Sequence, residues 1–182
     1  MSLLTKKTIK DYMELPEGTP YQLVEGELIM SPAPSFEHQR VSGRLFRKLQ
    51  TSIEDLGLGI VVYAPIDVYL DEENAYQPDL VVVLKDSRAR VEERGIFGAP
   101  DVVVEILSPS TAYYDLTEKK DVYERVGVKE YWIVDPKRKS FEIYSNSEEG
   151  FKLICHAKSK GKVRSELLNL EIDLKEIFGV EV

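Results

Sequence analysis

The seven residues Asp101-Val-Val-Val-Glu-Ile-Leu107 constrain this chain more than any other stretch. A nearly continuous apolar run dominated by β-branched residues is the pattern of a central strand covered on both faces. Glu105 sits inside it, and a carboxylate in such a place loses several kcal/mol of hydration unless something positive meets it. Side chains alternate along a strand, so Asp101, Val103, Glu105 and Leu107 share one face. Whatever fold the chain adopts must bring a lysine, an arginine or a metal ion to that face.

The chain is long enough to do so. Its 182 residues suffice for one domain with a real core, and 43% hydrophobic against 31% charged residues excludes a disordered chain. No apolar run approaches the ~20 residues that span a bilayer, and the three lysines of Met1–Lys10 precede no apolar segment of a signal peptide. The single cysteine, Cys155, excludes an intramolecular disulfide and a cysteine-based zinc site, and fits a cytoplasmic protein. A formal net charge of -8 argues against broad non-specific binding to nucleic acid. It leaves open a site in which metal ions supply the positive charge.

Around the central strand the pattern is α/β. Tyr21–Met30 reads as a hairpin turning at Glu25-Gly26. Ser35 caps a helix over about 36–56 whose apolar stripe is His38, Val41, Leu45, Leu49 and Ile53. Arg40, Arg44 and Arg47 fall on its other side, either a solvated face or a phosphate-tracking stripe. His38, within the apolar stripe, is either a hydrogen-bonded core histidine or the edge of a site.

Residues 59–70 and 76–84 read as two strands joined by a turn at 71–74, with Pro78 at a strand start or bulge and Asp79 just beyond it. Residues 85–98 read as irregular. After the central strand, Ser108–Thr111 turns into a helix reaching about Val126, with Gly127 as its C-cap, followed by a strand over 128–134. A hairpin over 140–154, then a peripheral strand and short helix over 167–177, complete the chain. The expected order is hairpin, helix, three strands, helix, strand, hairpin, with a mixed central sheet flanked by helices.

The helix after the central strand carries the sharpest detail. On a helical wheel, Val122, Tyr123 and Val126 define an inward face centred near Lys119, and Lys120 lies about 100° away, toward solvent. An ammonium held against an apolar face requires a carboxylate or an anionic ligand. Asp79, Glu105 and Lys119 thereby converge. Two arrangements satisfy that set, and spacing alone favours the first. One is a structural Lys–Glu ion pair. The other is a metal site in which hard oxygen ligands hold Mg²⁺ (or Mn²⁺) for phosphodiester hydrolysis.

Gln77-Pro78-Asp79, Glu105-Ile106-Leu107-Ser108-Pro109-Ser110-Thr111, Asp115 four residues before Lys119, and Gly127-Val128 followed by Glu130-Tyr131-Trp132-Ile133-Val134-Asp135-Pro136 together resemble the Uma2 family. That family belongs to the restriction-endonuclease-like, or PD-(D/E)xK, superfamily. The resemblance covers about residues 21–144, including Glu25–Leu28 and the Ser31-Pro32 to His38 entry into the first helix. It implies an α-β-β-β-α-β core, with the N-terminal hairpin and C-terminal strands added to it. It implies a DNA nuclease in which Asp79 and Glu105 are metal ligands.

The lysine that the superfamily carries two residues after the acidic residue is Leu107 here. In the Uma2 variant it comes from the following helix, where Lys119 matches. Glu27 matches a family position that would supply a further carboxylate, and His38 one that would supply a base or a residue behind the ligands. The alternative is a binding or regulatory module that keeps the nuclease fold without catalysis. By analogy, nucleases of this fold pair to cut both strands, so a homodimer is the expectation.

Overall fold

The computed structural model describes residues 5–179. Residues 1–4, the start of the stretch read as lacking a signal peptide, lie outside the described residues. The elements follow one another as α1 (Ile9–Met13), β1 (Tyr21–Val24), β2 (Glu27–Met30), α2 (Phe36–Leu49), β3 (Gly59–Tyr63), β4 (Val68–Asp71), β5 (Asn74–Tyr76) and β6 (Leu80–Leu84). After them come β7 (Arg90–Glu92), β8 (Gly95–Phe97), β9 (Val102–Ile106), α3 (Ala112–Leu116), α4 (Glu118–Val126) and β10 (Glu130–Asp135). The chain closes with β11 (Ser140–Ser147), β12 (Gly150–Lys158), β13 (Lys162–Ser165), β14 (Leu170–Asp173) and α5 (Leu174–Phe178).

The apolar run around Glu105 forms β9, and every residue of that strand is buried. It lies inside a six-stranded sheet of order β12-β11-β10-β9-β6-β3. β9 runs parallel to β10, with Glu105 opposite Ile133, and antiparallel to β6, with Val104 opposite Leu80. One face of this sheet carries Val102, Val104, Ile106, Trp132 and Val134, which pack on α2 through Val41, Leu45 and Leu49. The other carries Val103, Tyr131 and Ile133 and packs on α4 through Val122 and Tyr123. The two faces thus belong to different helices, and the first turn of each lies near the end of β9.

Two predicted strands are each divided between sheets. Residues 59–70 split into β3, in the central sheet, and β4, in a second six-stranded sheet of order β2-β1-β5-β4-β8-β7. Residues 76–84 split in the same way, with β5 ending at Tyr76 and β6 starting at Leu80. The divisions fall at Pro65 and Pro78, each of which lacks the N–H that a continuous ladder needs. The crossings matter for function, because the second leaves Gln77-Pro78-Asp79 as a connector at the sheet's end.

Residues 85–98 are not wholly irregular: β7 and β8 pair as a short hairpin. The helix after β9 is broken at Thr117, whose φ of -124° and ψ of -100° are not helical, into α3 and α4. The first hairpin turns where expected, with Glu25 and Gly26 both at positive φ (49° and 81°), the conformation a two-residue hairpin turn requires. Gly127 caps α4 in the left-handed conformation at φ 94°.

Candidate functional site

Asp79, Glu105 and Lys119 arrive at the same place by three routes. β9 presents Glu105 one residue before its end, on the face covered by α4. Asp79 stands just before β6, and its Oδ2 accepts the Ile106 N–H at 2.7 Å. That bond joins the connector to the strand one peptide beyond Glu105. Lys119 lies in the first turn of α4 and is 3% exposed, whereas its neighbour Lys120 stands 3.7 Å from the Tyr144 ring centroid at the half-buried margin. The wheel therefore separates the two lysines correctly, although the helix it assumed is broken at Thr117, two residues before Lys119.

The Lys119 ammonium is the cation that meets Glu105. It pairs with Glu105 Oε1 and, at 2.9 Å, with Asp115 Oδ1 one turn back. It also lies 5.6 Å from the Tyr76 ring centroid. Glu105 Oε1 accepts a further hydrogen bond from the Tyr123 hydroxyl at 2.7 Å. Asp115 is fixed from two sides: the Thr111 hydroxyl donates to its Oδ2 at 3.1 Å, and the Tyr131 hydroxyl to its carbonyl oxygen at 2.7 Å.

His38 comes from the opposite face. The Ser35 cap holds the start of α2, accepting from the His38 N–H at 3.2 Å. The imidazole Nε2 then reaches Asp79 Oδ2 at 3.2 Å. Its Nδ1 is buried without a hydrogen-bond partner among the described residues. Both readings of His38 thus meet: it lies in the apolar stripe and touches the site. Arg40 pairs with Glu37, and Arg44 donates to the Ile177 carbonyl. Glu27 is not brought to the site: it is exposed at the first hairpin, with its charge felt by Lys6.

These groups line one cleft of about 920 Å³ between the first hairpin, the start of α2 and the segment after β9. Its acidic and basic side chains among the described residues are His38, Asp79, Glu105, Asp115 and Lys119. Three carboxylates face one lysine. The imbalance appears in the proton affinities. Burial pushes the Glu105 carboxyl up to about 8, against the pull of Lys119 and with Asp115 and Asp79 adding to it. Burial alone would lower Lys119, but the Asp115 and Glu105 carboxylates more than reverse this and keep it charged. Burial likewise opposes the His38 charge, and the hydrogen bond and charge of Asp79 outweigh it, so His38 is raised.

Asp115, Tyr76, Tyr123 and Tyr131 complete the site, and the sequence reading assigns none of them a role in it. A signal for Asp115 existed: an acidic residue four before a lysine on a helix face pairs with it. Tyr123 was already on the inward face. Nothing local to Tyr76 or Tyr131 distinguishes them from core aromatics.

The arrangement of sheet and flanking helices, with acidic residues at the end of β9 and before β6, is a restriction-endonuclease-like fold. A crystal structure of an Anabaena variabilis protein described as "a putative nuclease belonging to DUF820" superposes on it with a TM-score of 0.78, covering 94% of this chain and 97% of that one at 20% identity. The Uma2 family model, described as "Putative restriction endonuclease", matches residues 9–175. The chain belongs to the Uma2 family. An uncharacterized protein of Synechocystis is 26% identical over 116 residues, and the match spans 63% of this chain and 65% of that protein. Among the described residues no helix is long and apolar enough to cross a membrane.

Proposed function

We propose that the cleft is the active site of a divalent-metal-dependent nuclease that hydrolyses DNA phosphodiester bonds, with Asp79 and Glu105 holding Mg²⁺ (or Mn²⁺) and Lys119 assisting. The observation that carries this reading is the meeting of these three side chains, from separate elements, in one cleft whose carboxylates outnumber its cations. The descriptions of the family and of the Anabaena protein point the same way.

The donor set fits such an ion in kind. Mg²⁺ takes hard oxygen donors and is commonly held by one or two carboxylates, with water and substrate phosphate filling its other positions. The hydrogen bonds of Asp79 fall on Oδ2 and those of Glu105 on Oε1, so each carboxylate has a second oxygen to offer. Among the described residues no cluster of three or more His, Cys, Asp or Glu forms a ready-made cage. The fit is therefore to an ion shared with substrate and water. When bound, that ion would polarise the phosphodiester and lower the pKa of a water.

The chain's own residues do the rest. The Ile106 N–H and His38 hold the Asp79 carboxylate in place, as supporting partners of a ligand do. Lys119 supplies fixed positive charge where negative charge grows on the phosphate. The cleft adds no arginine and no second lysine among the described residues, so attraction of a polyanion into it depends on the ion.

Incubating DNA with the protein in Mg²⁺, in Mn²⁺ and in a chelator tests the reading. Cleavage is expected with either ion, and should vanish with chelator, in Asp79→Ala and in Lys119→Ala, while surviving in Lys120→Ala. Cleavage that persists in chelator or in Asp79→Ala would contradict it. DNA binding without cleavage by the wild-type protein in either ion would put a non-hydrolytic binding module in its place.

A further inference from the structure

Lys119 has two carboxylate partners where one would neutralise it, and the second lies outside the pair assigned to the metal. We propose that Asp115 is a positioning residue, a second berth that keeps the Lys119 ammonium inside the cleft when a divalent ion takes Glu105. This rests on the reading of Asp79 and Glu105 as metal ligands.

The geometry supplies the reason. Lys119 Nζ touches Glu105 Oε1 and Asp115 Oδ1 at once, and all three residues are 3% exposed or less. An ion drawn onto Glu105 must share that carboxylate with an ammonium or displace it. A displaced ammonium with no other counter-charge would be stranded in a buried site, which costs far more than the exchange itself. Asp115 removes that cost, because Lys119 can keep its 2.9 Å contact there while Glu105 turns to the ion.

Asp115 is also held independently of Glu105. Its other oxygen is bound by Thr111, whose hydroxyl also meets Ser108 Oγ at 2.8 Å, and its carbonyl is bound by Tyr131. The Tyr76 ring completes the berth from the side. Without Asp115, the only carboxylate left to Lys119 among the described residues is Glu105, and lysine and metal compete for it.

Calorimetric titration with MnCl₂ of wild type, Asp115→Asn, Lys119→Met and the double variant separates this coupling from a simple loss of nearby negative charge. Asp115→Asn is expected to weaken Mn²⁺ binding by about tenfold or more. Adding Lys119→Met should abolish that effect, because no ammonium is left to compete. An Asp115→Asn effect that is absent, or that persists undiminished beside Lys119→Met, overturns the proposal while leaving the metal site standing. No Mn²⁺ binding by the wild type would remove the metal site and this proposal together.

Should Asp115→Asn fail to fold, a crystal structure of the wild-type protein soaked with Mn²⁺ decides the matter. Lys119 Nζ is expected on Asp115 and off Glu105. An ammonium still on Glu105, or one turned out to solvent, overturns the proposal.

Discussion

Two glutamates lie buried on neighbouring parallel strands, and their surroundings differ in kind. Glu130 starts β10 opposite Val102, the first residue of β9, while Glu105 lies near the other end of β9 opposite Ile133. Glu130 is 1% exposed and receives three neutral donors: Trp132 Nε1 at 2.8 Å, Ser165 Oγ at 2.7 Å and the Leu167 N–H at 3.1 Å. The bonds from Ser165 and Leu167 tie the end of β13 and the turn after it to the central sheet. Glu105 instead shares its oxygen between a tyrosine and a lysine, with Asp115 and Asp79 raising its proton affinity and a cleft beside it. Burial of a carboxylate is therefore no mark of function. What separates the two is saturation by neutral donors in one case and crowding by like charge in the other.

The comparison is broken or sharpened most strongly by cleavage. Glu105→Gln, an isosteric loss of charge, is expected to lower metal-dependent DNA cleavage by about a thousandfold or more, the scale of losing a principal electrostatic group. Glu130→Gln should leave the rate of the folded protein unchanged. Equal losses in both would mean that Glu105 acts on structure alone.

Stability should reverse the order. Glu130→Ala strands the Trp132, Ser165 and Leu167 donors in the interior and is expected to cost about 3 kcal/mol in urea unfolding. Glu105→Gln, which removes a buried carboxyl whose ionisation the fold opposes while Lys119 keeps Asp115, should cost no stability and should gain some as pH rises toward 8. A Glu105→Gln loss as large as that of Glu130→Ala would erase the distinction.

The pH dependence follows from the raised Glu105 carboxyl. Its folded value of about 8 exceeds the ordinary 4.5, so between those values the folded state binds the proton that the unfolded state has released. Its contribution to stability is full below about 4.5 and is lost as pH rises through 8, with a slope of at most about 1.4 kcal/mol per pH unit. The difference between wild type and Glu105→Gln in metal-free buffer isolates this component, since His38, also raised, is common to both. A difference that is flat across the window would show that Glu105 is ionised throughout. The smallest effect belongs to Lys120→Ala, which removes a marginal contact with Tyr144 and should shift stability by less than about 1 kcal/mol.

How far the sequence discloses this arrangement depends on how local each signal is. β9, Glu105 and the inward choice of Lys119 over Lys120 were legible, because strand composition and helix periodicity are properties of a few consecutive residues. So was the apolar stripe of His38, Val41, Leu45 and Leu49 on α2, continued by Ile53 in the π-helical turn Gln50–Glu54 that follows it; all five of these residues are buried. The division of 59–70 and 76–84 between two sheets was not, since an apolar run reports burial and not the identity of its neighbour. Pro65 and Pro78 marked the crossings but not their direction.

The hairpin of β7 and β8 was hidden by its polar surface strand, in which Arg90, Val91 and Glu92 are all exposed. Helix α1, absent from the expected order, carries a capping box of Thr8 with Asp11 that signals its start. Glu27 was placed at the site by family likeness alone, and the hairpin geometry leaves it in solvent. Asp115, Tyr123 and Tyr131 gain their roles only when α3, α4 and β10 are packed together.

Calorimetric titration of Mn²⁺ into wild type, Glu105→Gln and Glu130→Gln tests most directly the claim that Glu105 is held for an ion and Glu130 for the fold. Wild type and Glu130→Gln should bind Mn²⁺ with the same affinity, and Glu105→Gln should show no binding. Wild-type affinity in Glu105→Gln would contradict the account.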